Sequence, residues 1–112
     1  YTTTARGALV GITAEQMVGL RSSSEPYALL LARTMRERMG TTWGLAETGA
    51  SGPTGNRYGD AAGHTCMAIS GPVELVRTLE TGKADRWPNM LEFALATLGL
   101  LDEALSAPAA RP

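Results

Sequence analysis

The clearest periodicity in the chain lies between Ser24 and Gly40. Leu31, Met35 and Met39 recur at helical spacing with Ala28 and Ala32 beside them, and Arg33, Arg36, Glu37 and Arg38 decorate the remaining positions. That stripe predicts an amphipathic helix. Its ends are marked as well. Ser24 can act as N-cap, Glu25 complements the positive end of the helix dipole, and Pro26 falls in the first turn, where its missing N–H has no helical partner. Gly40 can take the left-handed conformation that stops a helix. A second stripe, Met90, Phe93, Ala94, Thr97, Leu98, Leu101 and Leu105, predicts a final helix packed on a sheet along its whole length, with Asp85 as N-cap.

Between the two helices the period changes. Thr42–Thr48 (TWGLAET) is a short, mostly apolar run, expected as a strand in a sheet covered on both faces. His64–Ser70 reads as a second strand and Gly71-Pro72 as a turn. Val73, Leu75 and Leu79 then alternate in a third strand over Val73–Glu80, so an antiparallel hairpin is expected. Nearer the start, Ala5, Ala8, Leu9 and Ile12 predict a short helix over Thr2–Ile12 that closes near Gly11. Thr13 is placed to cap one further turn through Val18. Arg21–Ser24 is a polar linker, and the Ala/Pro-rich stretch Ser106–Pro112 a frayed tail. Helix, strand, loop, hairpin, helix is the order of an α/β or α+β domain with helices layered on a sheet.

Composition narrows the functional classes. The 112 residues suit one domain, and 44% apolar with 19% charged residues is an ordinary globular balance. Ten Lys and Arg against eleven Asp and Glu leave a net charge of −1 with no polybasic block, so neither nucleic acid nor an anionic membrane is expected as partner. The longest apolar run, Tyr27–Ala32, falls far short of the ~20 residues that span a bilayer. One cysteine, Cys66, excludes an intrachain disulfide framework, and one histidine, His64, excludes most zinc-site spacings. Tyr1 opens the chain with a polar YTTT segment and no signal-peptide pattern. A cytoplasmic protein is expected, with at least one further strand and a helix upstream, since two or three strands are few for a sheet between two helices.

Candidate chemistry gathers around the glycine-rich stretch Gly49–Gly63, which holds five glycines and a proline. It follows a strand, where backbone N–H groups can approach an anion closely. It lacks the Lys-Ser/Thr of a phosphate-binding P-loop, and no helix follows Gly55 as a dinucleotide fingerprint requires. Tight backbone packing is the alternative explanation of its glycines. Arg86 stands at the start of the last helix, where it opposes the dipole. Holding a phosphate or carboxylate would explain it, and so would a salt bridge to Asp85 or Glu80. Arg33, Arg36 and Arg38 around Glu37 read as a solvated face. Cys66 in mid-strand is expected as a small buried hydrophobe, His64 as a hydrogen-bonded structural residue, and Trp43 and Trp87 as packing at element ends.

Taken together, Tyr1-Thr-Thr-Thr-Ala5-Arg6, the Gly11-Ile12 ending, Thr48-Gly49-Ala50-Ser51-Gly52-Pro53, the strand led by Gly63 and Ala84-Asp85-Arg86 before the final helix resemble the CinA C-terminal domain family from about Tyr1 to Leu105. The resemblance implies a three-layer α/β/α domain over residues 1–105, lacking here its first strand and helix, with 106–112 as a tail. It also implies a nicotinamide-nucleotide amidohydrolase activity, converting nicotinamide mononucleotide to nicotinic acid mononucleotide and ammonia without a metal or other cofactor. By position, Tyr1, Arg6 and Thr48 match the family's catalytic surroundings, and Gly49, Ser51, Gly52 and Arg86 its substrate-binding ones. The expected partners are a nucleotide monophosphate, an upstream segment or companion chain carrying the nucleophilic serine, and further copies of the chain in a homo-oligomer. Arg6 stands where the family usually has lysine. A guanidinium keeps its charge at any working pH, so this change favours binding over catalysis. A non-catalytic binder of a nucleotide or small anion, or a structural or storage protein, is the alternative.

Overall fold

Strand β2, His64–Ser70, is buried at every residue and organises the rest of the molecule. The computed structural model describes residues 2–107. In it β2 is the centre of an antiparallel sheet, with β1, Gly44–Ala50, on one side and β3, Leu75–Glu80, on the other. The expected hairpin of β2 and β3 is present. Because successive strand side chains point to opposite faces, β2 builds two cores. Cys66 and Ala68 pack against Ala28 and Ala32 of helix α2, Glu25–Met39. Met67 and Ile69 pack against Leu100 and Ala104 of helix α3, Arg86–Ser106. The domain is therefore a three-layer α/β/α sandwich. Burying a side chain such as Ile69 or Leu100 contributes roughly 1.5–3 kcal/mol. On the α2 side small residues bring helix and strand into backbone contact: a Cβ at Gly44 would fall 2.2 Å from the Ala32 carbonyl oxygen.

Helix α2 has the ends its sequence marks. The Ser24 hydroxyl accepts from the Tyr27 N–H, and Gly40 closes the helix in the left-handed region at φ 63°. At the start of the chain, helix α1, Thr3–Ala5, runs into a π-helical turn over Arg6–Val10, closed by Gly11 at φ 84°. Thr13 and Gln16 exchange reciprocal side-chain bonds to each other's N–H groups, the capping box that begins a helix, but only turns follow.

Five expectations are corrected. Strand β1 begins at Gly44 rather than Thr42, runs on to Ala50 opposite His64, and is an edge strand with alternating residues exposed, not one covered on both faces. Strand β3 begins at Leu75 rather than Val73, although Val73, Leu75 and Leu79 do face one core. The stripe of α2 leaves the core towards its end: Leu31 is buried, Met35 half-buried and Met39 exposed. The buried stripe of α3 is Asn89, Phe93, Thr97, Leu100 and Ala104. Phe93 and Thr97 were expected there, but Met90, Ala94, Leu98 and Leu105 are exposed and Leu101 is half-buried. Apolar residues surround most of this helix, so more than one stripe has helical spacing. The sheet takes the one containing Asn89, whose amide is fully used at the helix start. Trp43 packs on the α3 core, whereas Trp87 is largely exposed and packing does not explain it. Among the described residues no helix is long and apolar enough to cross a membrane. Tyr1 and the tail beyond Ala107 lie outside the described residues.

Candidate functional site

The end of β1 meets the start of α2 through one buried serine. Ser23 is 5% exposed and holds φ at 57°, a left-handed conformation that a non-glycine residue keeps only when its surroundings impose it. Its N–H donates to the Thr48 hydroxyl at 3.0 Å. Its carbonyl accepts from Nε2 of His64 at 2.8 Å and, more weakly, from the Cys66 thiol at 3.6 Å. Nδ1 of the same imidazole faces the Glu80 carboxylate. A carbonyl and a carboxylate are both acceptors, and only the imidazolium form of His64 can donate to both at once. Burial pushes its pKa down, but the bonds to Ser23 and Glu80 and the charges of Asp60 and Glu80 outweigh that and hold it above the ordinary histidine value. The guanidinium of Arg21, 2.7 Å from Asp60, and the amide of Asn56 hold the Asp60 carboxyl below its ordinary range. Burial pushes the Cys66 thiol up, which makes it a poor nucleophile.

Beside Ser23 opens a cavity of about 360 Å³. Glu47, Thr48 and Gly49 of β1 line it, together with Ser22, Ser23 and Tyr27 around the start of α2, Thr2, Thr3 and Arg6 near the start of the chain, and Arg57. Two of these side chains are guanidiniums, and among the described residues neither is in an ion pair. Arg6 lies over the Tyr27 ring, 5.7 Å from its centroid. Arg57 donates to the Tyr58 hydroxyl at 3.0 Å, and that bond lowers the tyrosine pKa. Glu47 accepts from the Thr65 hydroxyl at 2.7 Å, which directs its carboxylate. The cavity thus offers two permanent cations and several hydroxyl groups, a donor set for an anion, beside one carboxylate, Glu47. His64 does not line the cavity. Among the described residues no cluster of His, Cys, Asp or Glu is arranged to hold a metal ion.

The residues singled out in the sequence divide into two groups. Arg6, Thr48 and Gly49 line the cavity. Ser51, Gly52 and Arg86 do not. Arg86 donates to the Gly52 carbonyl at 2.8 Å, which is neither the anion nor the Asp85 or Glu80 salt bridge considered for it. Fully buried Asn89 donates to the carbonyls of Ser51 at 2.9 Å and Lys83 at 2.8 Å and accepts from the Thr81 hydroxyl at 2.7 Å. Backbone proximity accounts for both glycines. A Cβ at Gly49 would lie 2.3 Å from the His64 carbonyl oxygen, and one at Gly52, where φ is 116°, 2.2 Å from that of Ala84. Tyr1 lies outside the described residues.

Sequence reasoning missed Arg57, Ser22, Ser23, Tyr27 and Glu47. Signals existed for some of them: a run of three serines ahead of a helix, one acid inside an apolar strand, and an arginine within the glycine loop. Tyr27 gave none, since it sits in an apolar helical run.

A sequence model of the CinA C-terminal domain family matches residues 1–105. The chain belongs to that family. A CinA-like protein of Anaeromyxobacter sp. (strain K) is 30% identical over 105 residues, covering 94% of this chain and 26% of that protein. One from Gloeobacter violaceus is 35% identical over 74 residues, covering 66% of this chain and 17% of that protein. The CinA C-terminal domain chain thus spans about a quarter of its curated relatives, or less. Solved structures share its fold. A competence-damaged protein (CinA) superfamily protein from Enterobacter cloacae superposes with a TM-score of 0.82 at 22% identity, covering 95% of this chain and 63% of its own. The competence damage-inducible protein A from Klebsiella pneumoniae gives 0.84 at 19% identity, covering 95% and 66%.

Proposed function

We propose that this CinA C-terminal domain chain forms the nucleotide-binding part of a nicotinamide-nucleotide amidohydrolase-type site. The observation that carries the reading is the pair of guanidiniums, Arg6 and Arg57, free of carboxylate partners among the described residues and set in one cavity with the Thr48 hydroxyl. A cavity of about 360 Å³ lies within the size range of small-ligand sites. A phosphate dianion takes paired N–H bonds from a guanidinium, and its charge offsets the two arginines. Thr48, already oriented by the Ser23 N–H, has a hydroxyl proton left to donate to the carboxamide oxygen or to the oxyanion that forms from it.

In the full reaction a serine hydroxyl adds to the carboxamide carbon and ammonia leaves. Water then releases the acid from the acyl-enzyme. We assign the nucleophilic serine and its base to polypeptide outside residues 2–107. Arg6 favours the second reading, a binder without turnover, because a guanidinium cannot act as the base that lysine could supply.

Calorimetric titration with nicotinamide mononucleotide tests the binding, and ammonia release on the full-length protein separates the two readings. Micromolar to low-millimolar binding is expected. Absence of binding at millimolar ligand contradicts the proposal. Brisk ammonia release with Arg6 in place rejects the binder reading.

A further inference from the structure

We infer that His64 is a positioning residue for the cavity: as an imidazolium it holds the Ser22–Ser23 turn against Thr48, and loss of its proton loosens that turn and weakens ligand binding. His64 does not line the cavity, so it acts through Ser23, which does. The Ser23 carbonyl accepts from Nε2 at 2.8 Å in a buried position, while Nδ1 engages Glu80. A neutral imidazole carries one N–H, so it can keep only one of these bonds and must turn a lone pair towards the other oxygen. Ser23 sits at φ 57°. Its remaining anchors are its own N–H on Thr48 and the weak thiol contact from Cys66. Deprotonation therefore replaces a charge-assisted bond to Ser23 with at most a neutral one, on a backbone already in a sparsely populated conformation and next to the hydroxyl assigned to the ligand.

The charged surroundings keep the proton in place. Asp60 Oδ2 in the glycine loop is 3.5 Å from Nε2, and Glu80 on β3 meets Nδ1. Cys66 of β2 is 3.7 Å away. Arg21 neutralises much of Asp60, and Glu25 of α2 reaches the group through Thr78, whose hydroxyl contacts the Cys66 sulfur. The raised pKa of His64 sets the sign: the contribution of the imidazolium is complete below the ordinary histidine value and is lost as pH rises through the higher folded value.

The inference rests on the proposed function only for its ligand. The chain has a single histidine, so its imidazole gives one unambiguous NMR signal to follow from about pH 5 to about pH 9. The Ser23 and Thr48 amide signals are expected to move with the same midpoint, and that of Asn89 to stay still. The dissociation constant for nicotinamide mononucleotide should rise about tenfold or more across that midpoint, the loss of one bond to a charged group. In His64→Gln, which keeps a side-chain N–H for Ser23, this pH dependence should vanish. Glu80→Gln should lower the midpoints of the ring, Ser23 and Thr48 together, and it decides the matter if His64→Gln does not fold. A ring that titrates while Ser23 and Thr48 stay still overturns the inference, as does an unchanged pH profile in a folded His64→Gln protein. If the nucleotide fails to bind at any pH while Ser23 and Thr48 still follow His64, the inference stands and the ligand assignment falls.

Discussion

The two halves of the segment Thr48–Pro53 look alike as sequence, each pairing a small hydroxyl residue with a glycine, and they behave differently in the fold. Thr48 and Gly49 border a cavity with two arginines that have no acidic partner among the described residues. Ser51 and Gly52 face inward, and their carbonyls are taken by Asn89 and Arg86 from the first turn of α3. An arginine at a helix start, which opposes the dipole, need not mark an anion site. Here the backbone carbonyl within its reach accounts for it. Arg6 and Arg57 differ from Arg86 in that they line a cavity and have no acidic partner among the described residues.

The largest expected effect lies in the closed half. Asn89→Leu leaves the carbonyls of Ser51 and Lys83 and the Thr81 hydroxyl short of a partner, at roughly 1–3 kcal/mol for each group left unsatisfied. A loss on the order of 3–5 kcal/mol is expected in urea denaturation. A change below about 1 kcal/mol would mean that Asn89 does not tie the loop to the helix. Next comes the open half. Arg6→Ala and Arg57→Ala should each weaken nicotinamide mononucleotide binding by roughly 1.5–3 kcal/mol, read by calorimetry, with stability nearly unchanged. Unaltered affinity in both would remove the distinction between the halves. The smallest effect belongs to Arg86→Ala. Its one bond to Gly52 is worth about 0.5–1.5 kcal/mol of stability, and nucleotide affinity should not move. A clear loss of affinity without a loss of stability would instead make Arg86 a ligand residue.

Much of this fold is legible in the sequence where local chemistry decides it. Ser24 and Gly40 bound α2, Gly71-Pro72 joins the two strands of the hairpin, Val73, Leu75 and Leu79 alternate, and Cys66 is buried. Where several answers satisfy the same local rule, the tertiary structure chooses. Around α3 two apolar stripes compete, and the partners available to Asn89 settle which one is buried. The site follows the same division. Thr48, Gly49 and Arg6, expected from strand-end geometry and family resemblance, line one cavity. What each arginine meets is not legible locally: Arg86 reaches Gly52, 34 residues away in the chain, whereas Arg57 meets the adjacent Tyr58 and no acid among the described residues. Likewise the left-handed backbone of Ser23 is set by His64 and Thr48, neither of which adjoins it in the chain.

The central claim is that the cavity between β1 and α2, and not the start of α3, receives a nucleotide phosphate. Titration of isotope-labelled protein with nicotinamide mononucleotide, followed residue by residue by NMR, tests it most directly. The expected shifts centre on the amides of Ser22, Ser23, Thr48 and Gly49 and on the side-chain N–H signals of Arg6 and Arg57. Shifts confined to Gly52, Lys83 and Arg86, or none at millimolar nucleotide, would contradict it.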